Sequence, residues 1–149
     1  MTSKDGYVLD TFMVLDQHGQ AVDESRHKAV IKHLAHVLKD GRPTKIKTRR
    51  VPRNLQHFKV KTRVDFLPTK SKKRTLMEFV ALDTPGLLAT VGATFADLDL
   101  HLHAAKITTI GERAEDLFII TGEQGGKLTE EQEAQLRESL TANVAELAP

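Results

Sequence analysis

Alternation of apolar and polar positions predicts two neighbouring strands in the middle of the chain. From residue 57 to residue 66 every second position is apolar or β-branched: Phe58, Val60, Thr62, Val64 and Phe66. Period two is typical of a strand with one buried face. After a polar turn, residues 74–82 (RTLMEFVAL) form a second apolar run. We therefore predict a hairpin whose first strand has a mostly cationic outer face.

Three other segments carry apolar residues at helical spacing. The first covers residues 24–39, with Val30, Leu34, Val37 and Leu38 on one stripe. The second runs to about Asp97, with Leu87, Leu88, Val91, Phe95 and Leu98 on one face. The third begins at a Thr129–Gln132 capping box and aligns Leu136, Leu140, Val144 and Leu147.

Capping signals fix where these helices begin and end. Asp23 and Ser25 are cap candidates for the first helix, which the Asp40-Gly41 pair and a following proline stop. For the second helix either Asp83 or Thr84 is the predicted cap, with a proline in the first turn, where no N–H is needed.

The remaining elements complete an α+β arrangement. Residues 7–15 predict a strand with a turn at 16–19, and residues 101–110 and 115–121 predict strands on either side of a turn. The order from residue 57 is β-β-α-β-β-α, which favours a ferredoxin-like sandwich with two helices on one face of an antiparallel sheet. The opening strand and helix lack partners to bury their faces and indicate the rear part of another domain.

Composition sharpens this organisation without changing it. The 149 residues contain no cysteine, which fits a reducing cytoplasm, and no apolar run long enough for a membrane span. Residues 42–74 have a net charge of +12 and the remainder −10. Residues 42–56 are interpreted as a basic linker. Because this stretch lacks the interleaved aromatic residues of single-strand binders, we do not expect nucleic acid as a partner. The alternative is a basic module that binds nucleic acid or an acidic protein surface through residues 42–74.

Catalytic and metal motifs have weak support. The series Asp97-x-Asp99-x-His101-x-His103 would present four ligands on one strand face, but it crosses a helix-to-strand junction where the register should break. We therefore predict no metal site, and interpret His33 and His36 as surface residues. The sequence has no nucleophile elbow, Walker loop or dinucleotide fingerprint, and Gly125-Gly126 indicates a loop only.

The segment from Asp83 to Leu88 is the strongest small-molecule candidate. Free N–H groups at a helix start attract a carboxylate, Gly86 allows close approach, and the Asp83 carboxylate suits an ammonium group. These are the two charges of an amino acid. The alternative is an ordinary capped helix start.

The residues 75–121 resemble an ACT domain, the ligand-sensing module of amino-acid metabolism. The match lies in the Asp-x-Pro-Gly-Leu-Leu loop, Phe95-Ala96-Asp97-Leu98 and the strand from Ala105 to Thr109. With residues 57–69 (HFKVKTRVDFLPT) and 106–121 (KITTIGERAEDLFIIT), the chain is similar to the bifunctional uridylyltransferase/uridylyl-removing enzymes that modify PII proteins. Residues 6–39 resemble the end of that family's first ACT domain. The resemblance thus implies a partial domain at 1–41, a linker at 42–56 and a second ACT domain at 57–149.

The resemblance also implies function. Glutamine is the family's effector, PII its protein substrate, and Mg²⁺ is expected only for its catalytic domains. The family's Gly-Ser and His-Asp catalytic motifs do not occur in this sequence, so we assign no catalytic residue and leave open whether the chain is an enzyme. Contacts between ACT domains allow a homodimer. By resemblance, the effector-binding candidates are Asp83, Thr84, Pro85, Gly86, Leu87, Leu88, Lys106 and Thr108. The usual fourth ACT strand is missing after the last helix, and the strand at 57–66 either fills that edge or completes the first domain.

Overall fold

The computed structural model describes residues 13–16, 18–40 and 60–147. The chain divides into two compact units, Met1–Thr44 and Lys45–Pro149, and each is described by itself. The predicted linker at 42–56 lies outside the described residues, as does most of the predicted strand at 7–15. No helix within the described ranges is both long and apolar enough to cross a membrane.

The first unit contains a tight turn and one helix. Leu15 and Ala21 form an antiparallel bridge, and the predicted turn between them is confirmed, with Gly19 at φ 75°. Helix α1 spans Glu24–Asp40, as the apolar spacing predicts. At its start the Asp23 carboxylate accepts hydrogen bonds from the backbone N–H and the hydroxyl of Ser25. No residue of α1 is buried.

The described part of the second unit, residues 60–147, is an α+β sandwich of one sheet and two helices. In chain order the elements are β1 (Arg63–Leu67), β2 (Thr75–Leu82), α2 (Leu87–Asp97), β3 (His101–Lys106), β4 (Thr109–Ile110), β5 (Arg113–Thr121) and α3 (Glu130–Ala145). This order confirms the predicted β-β-α-β-β-α arrangement, except that the single strand expected at 101–110 is divided into β3 and β4. The architecture is consistent with a ferredoxin-like ACT fold.

The sheet is antiparallel throughout, with β2 and β5 in its centre. The strand order is β1-β2-β5-β3, and β4 also pairs with β5. Phe79 of β2 lies opposite Asp116 of β5, and Ala105 of β3 lies opposite Phe118. Because β1 pairs with β2, the strand that was open to two assignments fills the edge of this second unit. It is shorter than predicted: residues 57–59 lie outside the described ranges, and residues 60–62 precede the strand.

The core lies between the helices and one face of the sheet. Alternate residues of β2 and β5 are buried against α2 and α3, and Phe95 meets Phe118 edge to face at 5.4 Å between ring centroids. The buried cluster includes Val64, Met77, Phe79, Leu87, Val91, Leu136, Leu140 and Val144. The Thr129–Gln132 capping box predicted for α3 is present, with reciprocal side-chain bonds of 3.2 and 3.0 Å.

Candidate functional site

Backbone hydrogen bonds hold the loop between β2 and α2 in place. The N–H of Asp83 donates to the Glu112 carbonyl at 2.9 Å, and the N–H of Leu87 donates to the Thr84 carbonyl at 3.0 Å. The predicted cap is wrong: the cap residue is Gly86, not Asp83 or Thr84. Gly86 has φ 92°, a left-handed conformation that other residues adopt only with strain. The chain therefore enters α2 through a glycine turn, and no side chain caps the helix.

The side chains of this loop point to different surroundings. Thr84 is buried, whereas Asp83 is exposed and its Oδ2 accepts a 3.2 Å hydrogen bond from the Thr109 hydroxyl. Leu87 belongs to the core, while Leu88, predicted on the same apolar face, is 48% exposed. Pro85 is half-buried. The loop thus presents one carboxylate and one apolar side chain beside an uncapped helix start.

The two candidates from the adjacent strand differ in their relation to the loop. Thr108 is half-buried in the break between β3 and β4, directly before the threonine that contacts Asp83. Lys106 is exposed at the end of β3, opposite Leu117. The interruption between β3 and β4 therefore lies beside the loop between β2 and α2.

Asp116 was not among the predicted site residues, although it lies next to this break. Its Oδ1 accepts a 3.1 Å hydrogen bond from the Thr108 N–H, and the whole residue is buried. Burial raises the pKa of the Asp116 carboxyl, the Thr108 N–H lowers it, and the charge of Asp83 raises it further. The available signal was its position in the sequence, because in β5 this acid falls in phase with the buried side chains.

The acidic and histidine residues after α2 do not assemble into a metal centre. Asp99 has φ 51°, and the register breaks at the junction as the sequence predicts. His101 Nε2 lies 3.2 Å from the Glu123 carbonyl oxygen, and His103 Nε2 lies 3.0 Å from the Thr121 hydroxyl. Within the described ranges no three His, Asp or Glu side chains form a group that would hold a metal ion.

The basic stretch contributes two open surfaces at opposite ends of the β1–β2 hairpin. A cavity of about 490 Å³ beside its turn has an apolar floor of Leu76 and Ile119 and a rim that includes Lys72, Lys73 and Arg74. A second, of about 380 Å³, lies at the start of β1. By contrast, Arg63 on β1 is paired with Asp65 and Glu78 at 2.7 and 2.9 Å. The cationic face of β1 is therefore partly neutralised.

Over essentially its whole length the chain is similar to part of one kind of enzyme, although no family model matches it. The chain is 80% identical over all 149 residues to the bifunctional uridylyltransferase/uridylyl-removing enzyme of Vibrio atlanticus, and 79% identical to that of Vibrio cholerae. It is 66% identical over 148 residues to that of Aliivibrio fischeri strain ES114. In each case the chain spans 17% of the relative's length. From end to end, the chain thus corresponds to a C-terminal region of the bifunctional uridylyltransferase/uridylyl-removing enzymes.

Proposed function

We propose that this chain is the glutamine-sensing regulatory region of a bifunctional uridylyltransferase/uridylyl-removing enzyme. In this proposal it contains no catalytic centre, and the parent enzyme acts on a PII protein in the cytoplasm. Residues 1–41 are the rear part of a first ACT domain, residues 42–56 a linker, and residues 57–149 a second ACT domain. The observation that carries the proposal is the glycine-capped start of α2 beside the exposed Asp83 carboxylate, in a chain 80% identical to part of such an enzyme.

The chemistry of the loop matches both charges of an amino acid. The first N–H groups of a helix carry partial positive charge, and those of α2 have no side-chain cap, so a ligand carboxylate is attracted there. Asp83 can accept the ammonium group. A β-carbon on Gly86 would strain the φ 92° turn through which the chain enters α2. An amino acid is therefore the ligand class that this arrangement favours.

The surroundings of the loop favour a second wall supplied by another ACT domain. Every residue of β3 and β4 is exposed, and four apolar side chains of α2, β3, β4 and the break between the two strands are exposed: Leu88, Leu102, Ile107 and Ile110. Because β3 lies at the edge of the sheet, its outer backbone groups are available for pairing. A second copy of this domain would cover this edge and enclose the ligand.

As a switch, the region acts through differential affinity. Glutamine must bind one arrangement of the parent enzyme's domains better than the other, and the difference in binding free energy sets how far the two activities shift. High glutamine would favour removal of UMP, and low glutamine would favour transfer.

Titration calorimetry with L-glutamine tests the proposal on the 149-residue chain. We expect saturable heat, with affinity lowered about tenfold by Asp83→Ala, which removes a charge-assisted hydrogen bond. Gly86→Val should weaken binding further, because a β-branched side chain at this positive φ would strain the loop. Asp97→Ala is the matched control, since it removes an exposed carboxylate from the other end of α2. A flat titration of the wild-type chain, or equal losses in Asp83→Ala and Asp97→Ala, would contradict sensing through this loop.

The cavity beside the hairpin turn favours a second candidate function. Lys72, Lys73 and Arg74 are exposed on its rim, and no ion pair neutralises them within the described part of the chain. A basic rim over an apolar floor suits an acidic protein surface or a nucleic acid. Binding of an acidic protein or a nucleic acid would support this function if its affinity falls steeply with salt and is lost on charge reversal of Lys72 and Lys73. Binding that does not respond to either change would exclude it.

A further inference from the structure

An acid occupies a core position in the middle of the sheet. Along β5 the buried residues alternate, and Asp116 takes a place in phase with Ala114, Phe118 and Ile120. It is 0% exposed. A carboxyl group in such surroundings is unfavourable unless its oxygens are hydrogen-bonded, so its presence calls for a specific role.

Among the described residues, only one of the two Asp116 carboxylate oxygens has a hydrogen-bond partner. Oδ1 accepts the N–H of Thr108 at 3.1 Å, whereas Oδ2 is buried with no hydrogen-bond donor among the described residues. The carbonyl of Thr108 accepts the Glu115 N–H at 2.8 Å. Two consecutive residues of β5 therefore fix both backbone groups of Thr108, one through its main chain and the other through its side chain.

Thr108 stands where the edge strand is interrupted, and the next residue reaches the candidate loop. β3 ends at Lys106 and β4 begins at Thr109, whose hydroxyl donates to Asp83 at 3.2 Å. A continuous path thus runs from the buried carboxyl, through the break, to the exposed carboxylate of the loop. The path consists of two hydrogen bonds joined by the peptide linkage between Thr108 and Thr109.

We propose that Asp116 is a positioning residue that couples the break between β3 and β4 to the loop at residues 83–86. By holding the Thr108 N–H it fixes the break, and the fixed break places the Thr109 hydroxyl against Asp83. This inference rests on the proposed function, since the loop it positions is the proposed amino-acid site. It assigns the buried acid to the site without requiring that it touch the ligand.

Amide hydrogen exchange tests the coupling without any ligand. In Asp116→Ala we expect exchange about tenfold faster at residues 107–109 and at 83–86, because a buried donor loses its acceptor. Asp116→Asn keeps an oxygen acceptor for Thr108 and should restore most of the protection. The control is Thr75→Val, which removes another buried acceptor, that of the Leu128 N–H, at the opposite end of β2. It should leave both segments unchanged.

A further variant keeps the test informative if Asp116→Ala does not fold. Thr109 is exposed, so Thr109→Val removes the last step of the path without disturbing the core. It should speed exchange at 83–86 and leave residue 108 protected. Unchanged exchange at 83–86 in both Asp116→Ala and Thr109→Val would overturn the proposal. An equal loss of amide protection in Asp116→Asn and Asp116→Ala would also overturn it, since the hydrogen bond to the Thr108 N–H would then make no difference.

Glutamine affinity separates this inference from the function on which it rests. If the wild-type chain binds glutamine, Asp116→Ala should weaken binding about tenfold and Asp116→Asn less than about threefold. Thr75→Val should lower stability and leave affinity unchanged. A flat wild-type titration would remove the proposed function alone, while hydrogen exchange would still decide the coupling.

Discussion

Helices α1 and α3 have nearly the same length and the same kind of apolar stripe, yet only one of them is covered. α1 has 17 residues and α3 has 16. Leu136, Leu140 and Val144 of α3 are buried against the sheet. On α1 the equivalent residue Leu34 is 52% exposed, and the stripe borders a groove of about 630 Å³. Spacing determines that a helix forms, but a facing layer determines whether its stripe stabilises anything.

The helix starts differ as well. α3 begins with a capping box in which two uncharged oxygens, the Thr129 hydroxyl and the Gln132 side-chain amide oxygen, each accept a backbone N–H. α1 begins with a carboxylate, Asp23, that binds Ser25. Ser25 lowers the pKa of Asp23 through its hydroxyl and then its N–H, and the charges of His27 and Arg26 lower it slightly more. The two caps should therefore respond differently to acid.

The largest expected effect is a cavity under α3. Leu140 is fully buried, so Leu140→Ala should lower the free energy of unfolding by about 2–5 kcal/mol. The chain has no tryptophan, so urea unfolding followed by far-ultraviolet circular dichroism is the suitable measurement. Leu88→Ala, on an exposed face of α2, is the control and should cost far less. Equal losses would mean that α3 does not pack as described.

Removing the cap of α3 should have a smaller effect. Thr129→Ala deletes the oxygen that accepts the Gln132 N–H, and we expect a loss of about 1 kcal/mol in the same unfolding experiment. Thr141→Ala is the matched control, because this exposed hydroxyl donates to the Arg137 carbonyl within the same helix and does not cap the helix start. If Thr141→Ala lowered the free energy of unfolding as much as Thr129→Ala does, the capping box would contribute nothing specific.

The stripe of α1 should tolerate truncation. Leu34→Ala removes as many atoms as Leu140→Ala but from an exposed position, so we expect a change within about 0.5 kcal/mol. Circular dichroism of the 149-residue chain measures both variants under one condition. A loss above about 2 kcal/mol would show that the α1 stripe is covered in solution, and would end the contrast with α3.

The smallest effect is local and depends on pH. The carboxylate of Asp23 contributes to the start of α1 above its ordinary pKa of 3.8, and this contribution is lost as pH falls through the lower value in the folded chain. NMR titration of the Ser25 amide should therefore show a midpoint below 3.8. In Asp23→Asn this titration should disappear. A midpoint above that value would contradict the hydrogen bonds described for this cap.

The sequence by itself determined the local structure. The three helices, the hairpin of β1 and β2 and the capping box of α3 follow from apolar spacing and side-chain chemistry, which act over a few residues. The loop from Asp83 to Leu88 was recognisable because proline and glycine before an apolar run predict a helix start. The turn at Gly86 shows the limit of such signals: residue types indicated that a helix begins, but not which residue adopts the left-handed conformation.

Tertiary structure alone decided the relations between distant segments. The sequence predicted the hairpin of β1 and β2 but left open which domain β1 belongs to, and only the pairing in the sheet placed it at the edge of the second unit. Only the register of β5 against the edge strand brought Asp116 to Thr108 and Thr109 to Asp83. The exposed stripe of α1 agrees with the expectation that the opening strand and helix lack partners, but a helical pattern specifies only an apolar face and not what would cover it. Burial and hydrogen bonding between segments depend on three-dimensional packing, and a local pattern carries no record of it.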